Sequence, residues 1–358
     1  MAANQTPLIF DGHNDLLSHL VAFKGKNQAE MFLDGYERGH LDLPRMIKGG
    51  FGGGLFVLWV PSPIHRGEDN DPEDMIDEEY HLPLAAEVSL AEALPKVLEQ
   101  LALLARIERE SAGKLKICTT AKEIRHCLDS GVIAAVLHME GAEAIDDNLN
   151  NLEVLYRSGL RSLGPVWSRP TRFGTGVPFK FPSSPDTGSG LTDLGKELVR
   201  TCNQLGMVVD VSHITEKGFW DIAKLSDAPL VATHSNAHAV SQQARNLTDK
   251  QLAAIKESGG IVGVNFVTAF LREDGKMTAE TSLDTILRHL DHLINHVGTE
   301  HIGFGSDFDG ALIPEKMGDV TGLISLREAM RNHGYDEPLM LKLCQKNWLN
   351  VLEKTFKN

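Results

Sequence analysis

Short apolar runs alternate along the chain with longer stretches in which apolar side chains return every three or four positions. Eight such runs, at residues 8–11, 54–60, 132–139, 162–167, 207–212, 230–233, 260–266 and 301–305, are rich in Val, Ile, Leu and Gly. Their hydrophobicity is near-continuous rather than alternating, the pattern of strands covered on both faces in a parallel sheet. The stretches between them predict helices, among them 84–109, 191–205, 248–257 and 282–296. In the last, Leu283, Ile286, Leu287, Leu290, Leu293 and Ile294 fall at helical spacing. Thr248-Asp249 opens the third with a capping signal. Eight strands with intervening helices predict an α/β fold, a (β/α)8 TIM barrel. An open doubly wound sheet would carry a Gly-rich phosphate turn after its first strand, whereas Gly12-His13-Asn14-Asp15 stands there. The glycines at 49–54 precede a strand instead of following one, which argues against a phosphate cradle.

Two segments break the rhythm. Residues 61–83 are acidic and Pro-rich, and residues 168–190 are rich in Pro, Gly and Ser. Both follow strands, and loops after barrel strands lie on the catalytic face, so both are expected to be active-site loops. A length of 358 residues suits one barrel domain over 1–358 with insertions after strands. A hydrophobic fraction of 42% excludes a disordered chain. The net charge of −14, with no basic run, excludes a nucleic-acid partner and an anionic membrane surface. Cys118, Cys127, Cys202 and Cys344 form no C-x-x-C pair, so neither a disulfide framework nor a thiolate zinc site is expected. The N-terminal residues show neither a basic nor an apolar leader pattern, and no apolar run reaches about 18 residues. These features predict a cytoplasmic protein without a membrane anchor.

The candidate chemistry gathers at strand ends. His13 and Asp15 form an H-x-D after the first strand, where residues two apart face the same way and can converge on one ion. Glu140 ends the third strand, and its two oxygens can bridge two metals. His213 ends the fifth, His234 the sixth and Asp307 the eighth. All project to one barrel mouth. Five ligands with a bridging carboxylate fit two metals better than one, which leaves Asp307 free as a base. Imidazole and carboxylate ligands suit zinc and also accept cobalt or manganese. His138 is assigned by alternation to the opposite, structural layer. Glu143 is a weaker candidate, already in the loop after the third strand. His289, His292 and His296 lie three and four apart on one helix, and no functional role is expected of them.

Asp11-Gly12-His13-Asn14-Asp15, Glu140-Gly141, Asp210-Val211-Ser212-His213, Thr233-His234-Ser235-Asn236 with Arg245-Asn246, and Gly305-Ser306-Asp307-Phe308-Asp309-Gly310 together resemble the membrane (renal) dipeptidase family of zinc metallopeptidases, in the amidohydrolase superfamily. The chain is most similar to the soluble bacterial-type members. The resemblance implies a binuclear-zinc dipeptidase, with His13 and Asp15 on one zinc, His213 and His234 on the other, and Glu140 between them. A metal-bridging hydroxide is the implied nucleophile. Arg245 would hold the substrate's C-terminal carboxylate; the bland reading pairs it with Asp249 at the surface. Asp307 would contact the water or the substrate's amine and carry the proton to the leaving nitrogen, and Asp309 would organise its loop. Dipeptides with a C-terminal D-residue are plausible substrates, and a homodimer is suggested. One position departs from the family's pattern: Trp167 stands where a histidine helps polarise the scissile carbonyl. Trp167 is then expected to form a pocket wall, with Arg169 and Arg172 as candidate carbonyl donors. The competing readings are another amidohydrolase, acting on N-acyl amino acids or cyclic amides, and a metal- or peptide-binding homologue without catalysis.

Overall fold

The structure, a computed structural model, describes residues 6–62 and 75–357. Eight parallel strands form the barrel: β1 (Ile9–Asn14), β2 (Phe51–Trp59), β3 (Ile133–Glu140), β4 (Leu160–Gly164), β5 (Val208–Val209), β6 (Val231–Ala232), β7 (Ile261–Val264) and β8 (Ile302–Phe304). Each pairs with the next in chain order, and β1 closes onto β8 through the pair Asp11 and Phe304. The step from β5 to β6 is the parallel bridge between Asp210 and Val231. Every strand expected from the apolar runs is present, and the fold is a (β/α)8 barrel. β1 and β3 are buried at every position, as the near-continuous apolar pattern requires.

One helix start and one added strand depart from expectation. The long helix spans Leu90–Glu110 rather than beginning at 84. Ser89 and Glu92 form a capping box that sets its start, and the S-x-x-E signal stands in the sequence. A further short strand, Leu115–Ile117, pairs with the first residues of β3, whose second half pairs with β4. Its three residues carry too little pattern to stand out from the preceding helix.

The C-terminal helix Asn347–Thr355 plugs the barrel floor with fully buried Trp348. Its ring packs among Phe10, Leu55, Val136, Val208, Val231 and Ile261. Gly12, Gly263 and Gly303 leave its room, since a Cβ at any of them would press against the indole. The four cysteines are free and buried. Among the described residues no helix is long and apolar enough to cross a membrane.

The two unusual loops meet at the opposite end. Tyr80–His81 pairs antiparallel with Lys180–Phe181, and Pro170–Thr171 with Gly174–Thr175. Residues 63–74 of the first loop lie outside the described residues. From the remainder, Pro61, Ser62 and Met75 join Trp167 and Phe179 in the wall of a cavity of about 410 Å³ over the strand ends.

Candidate metal centre

Each strand delivers its polar side chain by a local device. His13 lies within β1, and Asp15 follows it as the N-cap of the helix Leu16–Val21. Glu140 is the last residue of β3. His213 and Asp307 each take a left-handed backbone conformation, φ 61° in both, just past β5 and β8. Non-glycine residues in this region carry local strain that clusters at functional sites. Asp11 ties β1 to β8 below the mouth by accepting the Ser306 amide at 2.7 Å and its hydroxyl at 2.8 Å.

Six predicted side chains converge. Glu140 Oε1 lies 3.1 Å from His213 Nε2 and 3.2 Å from His234 Nε2. Its other oxygen lies 3.7 Å from His13 Nε2. His13 Nε2 is 3.5 Å from Asp15 Oδ2 and 4.0 Å from Asp307 Oδ1. All six residues are at most 9% exposed. Both nitrogens of His13 and Oε1 of Glu140 are buried without a hydrogen-bond partner. The separations around His13 are too long for hydrogen bonds. They match ligands of a shared ion, since bonds of about 2.1 Å in a tetrahedron set neighbouring donors about 3.4 Å apart. The donor set therefore fits metal ions, with Glu140 between a histidine pair on one side and His13 with Asp15 on the other.

Outer hydrogen bonds orient the rings. The Thr233 hydroxyl donates to Asp210 Oδ2 at 2.6 Å, so it accepts from His234 Nδ1 at 2.8 Å. That assignment leaves His234 Nε2 as a bare lone pair facing Glu140. Asp210 is anchored in turn by the amides of Ser212 and Thr233, each at 2.9 Å. Ser168 Oγ stands 2.8 Å from His213 Nδ1. Asn265 donates to Asp307 Oδ2 at 2.7 Å, leaving Oδ1 toward His13. Sequence reasoning passed over Thr233, Ser168 and Asn265; the first two neighbour a ligand or the pocket wall in sequence, while Asn265 carries no such signal.

Burial dominates the electrostatics. It pushes the carboxyl of Asp15 up to about 7 and that of Asp307 to about 6. Glu140 is raised well above the usual carboxylate range by burial and then by Asp15 and Asp307. Burial lowers His13 to about 4 and holds His213 and His234 well below the ordinary imidazole value. The imidazoles are thus neutral, the state in which they ligate metals, while the carboxylates gather where a cation would favour their charged form.

Arg245 is buried behind the histidines. It donates from Nη2 to the His234 carbonyl at 2.7 Å and from Nη1 to Ser235 Oγ at 2.9 Å, while its Nε has no partner. It makes no surface pair with Asp249, which instead meets His292 and His296. Trp167 stands in the cavity wall, its ring centroid 5.9 Å from that of His213 and 5.4 Å from that of Trp59. Phe179, Phe270, Val267 and Met277 extend this apolar wall. Asp309 also reaches the wall, and its carboxylate accepts the His40 amide, which organises the loop.

The expectations for His138 and for the two arginines are corrected. His138 does not face an opposite layer: positions two apart share a face, so it lies inside the barrel with Glu140. Its Nδ1 is 2.8 Å from Ser162 Oγ, and its ring is edge-on to His13 at 5.5 Å. Arg169 does not reach the cavity as a carbonyl donor. It is fully buried, paired with Glu143 and bound through Nη2 to the Val60 carbonyl at 2.6 Å. Arg172 points outward to Asp147, 2.6 Å away. His289, of which no functional role is expected, is buried and accepts the Ala237 amide at 3.1 Å.

The sequence pattern of the membrane dipeptidase family (Peptidase family M19) matches residues 2–358. A crystal structure of a metallo peptidase from Rhodobacter sphaeroides, liganded with a phosphinate mimic of the dipeptide L-Ala-D-Ala, is 54% identical with a TM-score of 0.96. The match covers 98% of this chain and 100% of that one. A Klebsiella pneumoniae protein in the pqqA 5′ region is 50% identical over 258 residues, 72% of this chain and 95% of its own. Dipeptidase tcpJ of Claviceps purpurea (strain 20.1) is 26% identical over 348 residues, 96% of this chain and 76% of its own.

Proposed function

The chain belongs to the membrane dipeptidase family, metal-dependent hydrolases of the peptide bond in dipeptides, and from that premise we propose that it works with two zinc ions and accepts dipeptides with a C-terminal D-residue. His213, His234 and Glu140 would hold one ion, and His13, Asp15 and Glu140 the other. The observation that carries this reading is Glu140: its two oxygens face separate donor groups, at 3.1 and 3.2 Å on one side and 3.7 Å on the other. The likeness to a metallo peptidase liganded with an L-Ala-D-Ala mimic supports the stereochemical part. When bound, such a pair polarises a carbonyl and brings the deprotonation of water toward neutral pH.

The chain's own residues do the rest. Asp307, held at Oδ2 by Asn265, keeps Oδ1 free to take a proton and deliver it to the leaving amine. Oδ1 lies 4.0 Å from His13 Nε2, at the edge of the proposed ligand set, where a carboxylate can reach a bound water or amine. Arg245 offers its unpartnered Nε–H and a fixed positive charge to the substrate's carboxylate. Trp167, Phe179 and Phe270 exclude water and pack the side chains, and Pro61, Ser62 and Met75 from the first unusual loop complete the wall beside Phe179 from the second. Asp15, Asp307 and Asp309 give the other side of the cavity an acidic face for the free ammonium group.

The test is hydrolysis of a dipeptide panel with L- and D-residues at the second position, by zinc-loaded and chelator-stripped protein. Turnover that vanishes on stripping and returns with zinc is expected, with N-acetylated dipeptides and dipeptide amides poor substrates. Protein shown to hold two ions that turns over no dipeptide would overturn this reading. Turnover restricted to L,L-dipeptides would overturn its stereochemical part.

A further inference from the structure

A second group of metal-ligating side chains sits on the outer helical layer. Asp249 is the first residue of the helix Asp249–Glu257, and His292 and His296 stand one turn apart on the helix Asp284–Val297 packed beside it. His292 Nε2 is 2.8 Å from Asp249 Oδ1, and His296 Nε2 is 3.6 Å from Asp249 Oδ2. The two imidazoles stack with centroids 4.0 Å apart and planes 17° apart. One donor atom from each residue lies within 4.8 Å of the other two.

The tautomer points to a cation. His296 Nδ1 is 2.8 Å from the His292 carbonyl oxygen. A carbonyl only accepts, so Nδ1 carries the hydrogen, and the neutral ring presents the lone pair of Nε2 to a carboxylate oxygen. Two acceptors then face each other, as they do around a shared positive charge. A second proton on His296, with His292 as its Nε2–H tautomer, would also meet the carboxylate; a divalent ion serves all three groups together and leaves both rings neutral. A histidine whose other ring nitrogen is tied to a backbone carbonyl is also the usual form of a metal-ligating histidine.

We propose that Asp249, His292 and His296 form a surface site for a borderline divalent ion such as zinc, nickel or copper, separate from the barrel mouth. Two imidazole nitrogens and one carboxylate oxygen select this class over magnesium and calcium, which prefer all-oxygen shells. His292 and Asp249 are half-buried and exposed, so water completes the coordination. The ion cross-braces the two helices where the chain leaves the Arg245 segment, just after the Thr248 cap. It bears on stability and takes no part in peptide hydrolysis.

The experiment counts ions in the untagged, zinc-loaded enzyme by calorimetric titration with zinc, in wild type, His292→Ala, His296→Ala and the double variant. Wild type is expected to bind one ion more per chain than the double variant. Each single change should weaken that ion by at least about 10–100-fold, since losing a ligand costs no less than losing a ligand's orienting partner. Added zinc should raise the thermal midpoint of wild type and not that of the double variant, while kcat/KM on a dipeptide is equal in all four proteins. Equal ion counts in wild type and the double variant would overturn the proposal. So would an extra ion whose affinity is unchanged in both single variants. Neither result depends on which dipeptides are hydrolysed.

Discussion

Thr233→Val isolates the hydroxyl that links Asp210 to a proposed metal ligand. Thr233 is fully buried, and valine keeps its branched shape, so the change opens no cavity. It removes a donor 2.6 Å from Asp210 Oδ2 and an acceptor 2.8 Å from His234 Nδ1. One buried N–H and one carboxylate oxygen are left unpartnered. Asp210 keeps both backbone amides on Oδ1, so the turn itself survives. An unmet buried polar group costs about 1–3 kcal/mol, more when charged, so the metal-free protein should lose at least that much. Zinc affinity should fall by about 10–100-fold, because nothing then holds the His234 ring in the tautomer that exposes Nε2. Urea unfolding of stripped protein reads the first effect, and zinc competition against a chelator reads the second. Thr233→Ser should restore most of both. A valine variant with unchanged zinc affinity and unfolding midpoint, or a serine variant no better than valine, would refute the relay from Asp210 through Thr233 to His234.

Three other outcomes follow from the same contacts. Arg169→Met leaves Glu143 buried without its partner and should destabilise the protein by about 3–5 kcal/mol, whereas Arg172→Ala breaks an outward-facing pair and should cost about 0–1 kcal/mol with kcat/KM unchanged; equal unfolding midpoints for the two variants would count against this assignment. Arg245→Met should raise KM for dipeptides by about 10–100-fold, the worth of one charge-assisted hydrogen bond, and leave dipeptide amides nearly unaffected, while Arg245→Lys should not restore the discrimination because it lacks the planar fork; parallel losses on acids and amides would remove the carboxylate role. Burial lowers His289 from 6.5 to about 4, so below pH 6.5 the unfolded chain takes up a proton that the folded chain refuses. Its share of stability is present above pH 6.5, and a loss approaching about 3 kcal/mol builds as pH falls toward 4. Wild type should therefore lose more stability than His289→Gln over that window in urea midpoints, and equal slopes would refute the point.

The elements that sequence reasoning reached are those whose signal is local. Each barrel strand is a short apolar run, and His13, Glu140, His213, His234 and Asp307 each follow such a run by a residue or two, so their place at one barrel mouth was legible without knowing which strands neighbour one another. What stayed hidden depends on what lies across the fold. Arg169 sits two residues from Trp167 and looked like a cavity donor; only the packed loop shows that Glu143 and the Val60 carbonyl take its donors. His138 was misplaced by an error of alternation, since its two-residue offset from Glu140 already puts both inside the barrel. The pairing of Asp249 with His292 and His296 joins residues 43 and more positions apart, and neither helix announces the other.

The arrangement of charge explains why the mouth is built from strand ends rather than from loops alone. Asp15, Glu140 and Asp307 are buried with oxygens within 4.0 Å of nitrogens of the neutral His13, His213 and His234, and Arg245 is the fixed cation behind them. Holding three carboxylates in low dielectric is unfavourable, as the raised values of about 7 for Asp15 and 6 for Asp307 show. Such a cluster keeps its geometry only where the backbone is over-determined, which parallel strands hydrogen-bonded on both sides provide and a surface loop does not. The left-handed residues His213 and Asp307 are the local expression of that cost, fixed by the strands beneath them. Metal binding then offsets the repulsion that folding accumulates, so metal affinity and folded stability are linked through the same carboxylates. Removing one of them, as in Asp15→Asn, should raise the stability of stripped protein while lowering its affinity for zinc, a reversal of sign that a merely structural carboxylate would not produce.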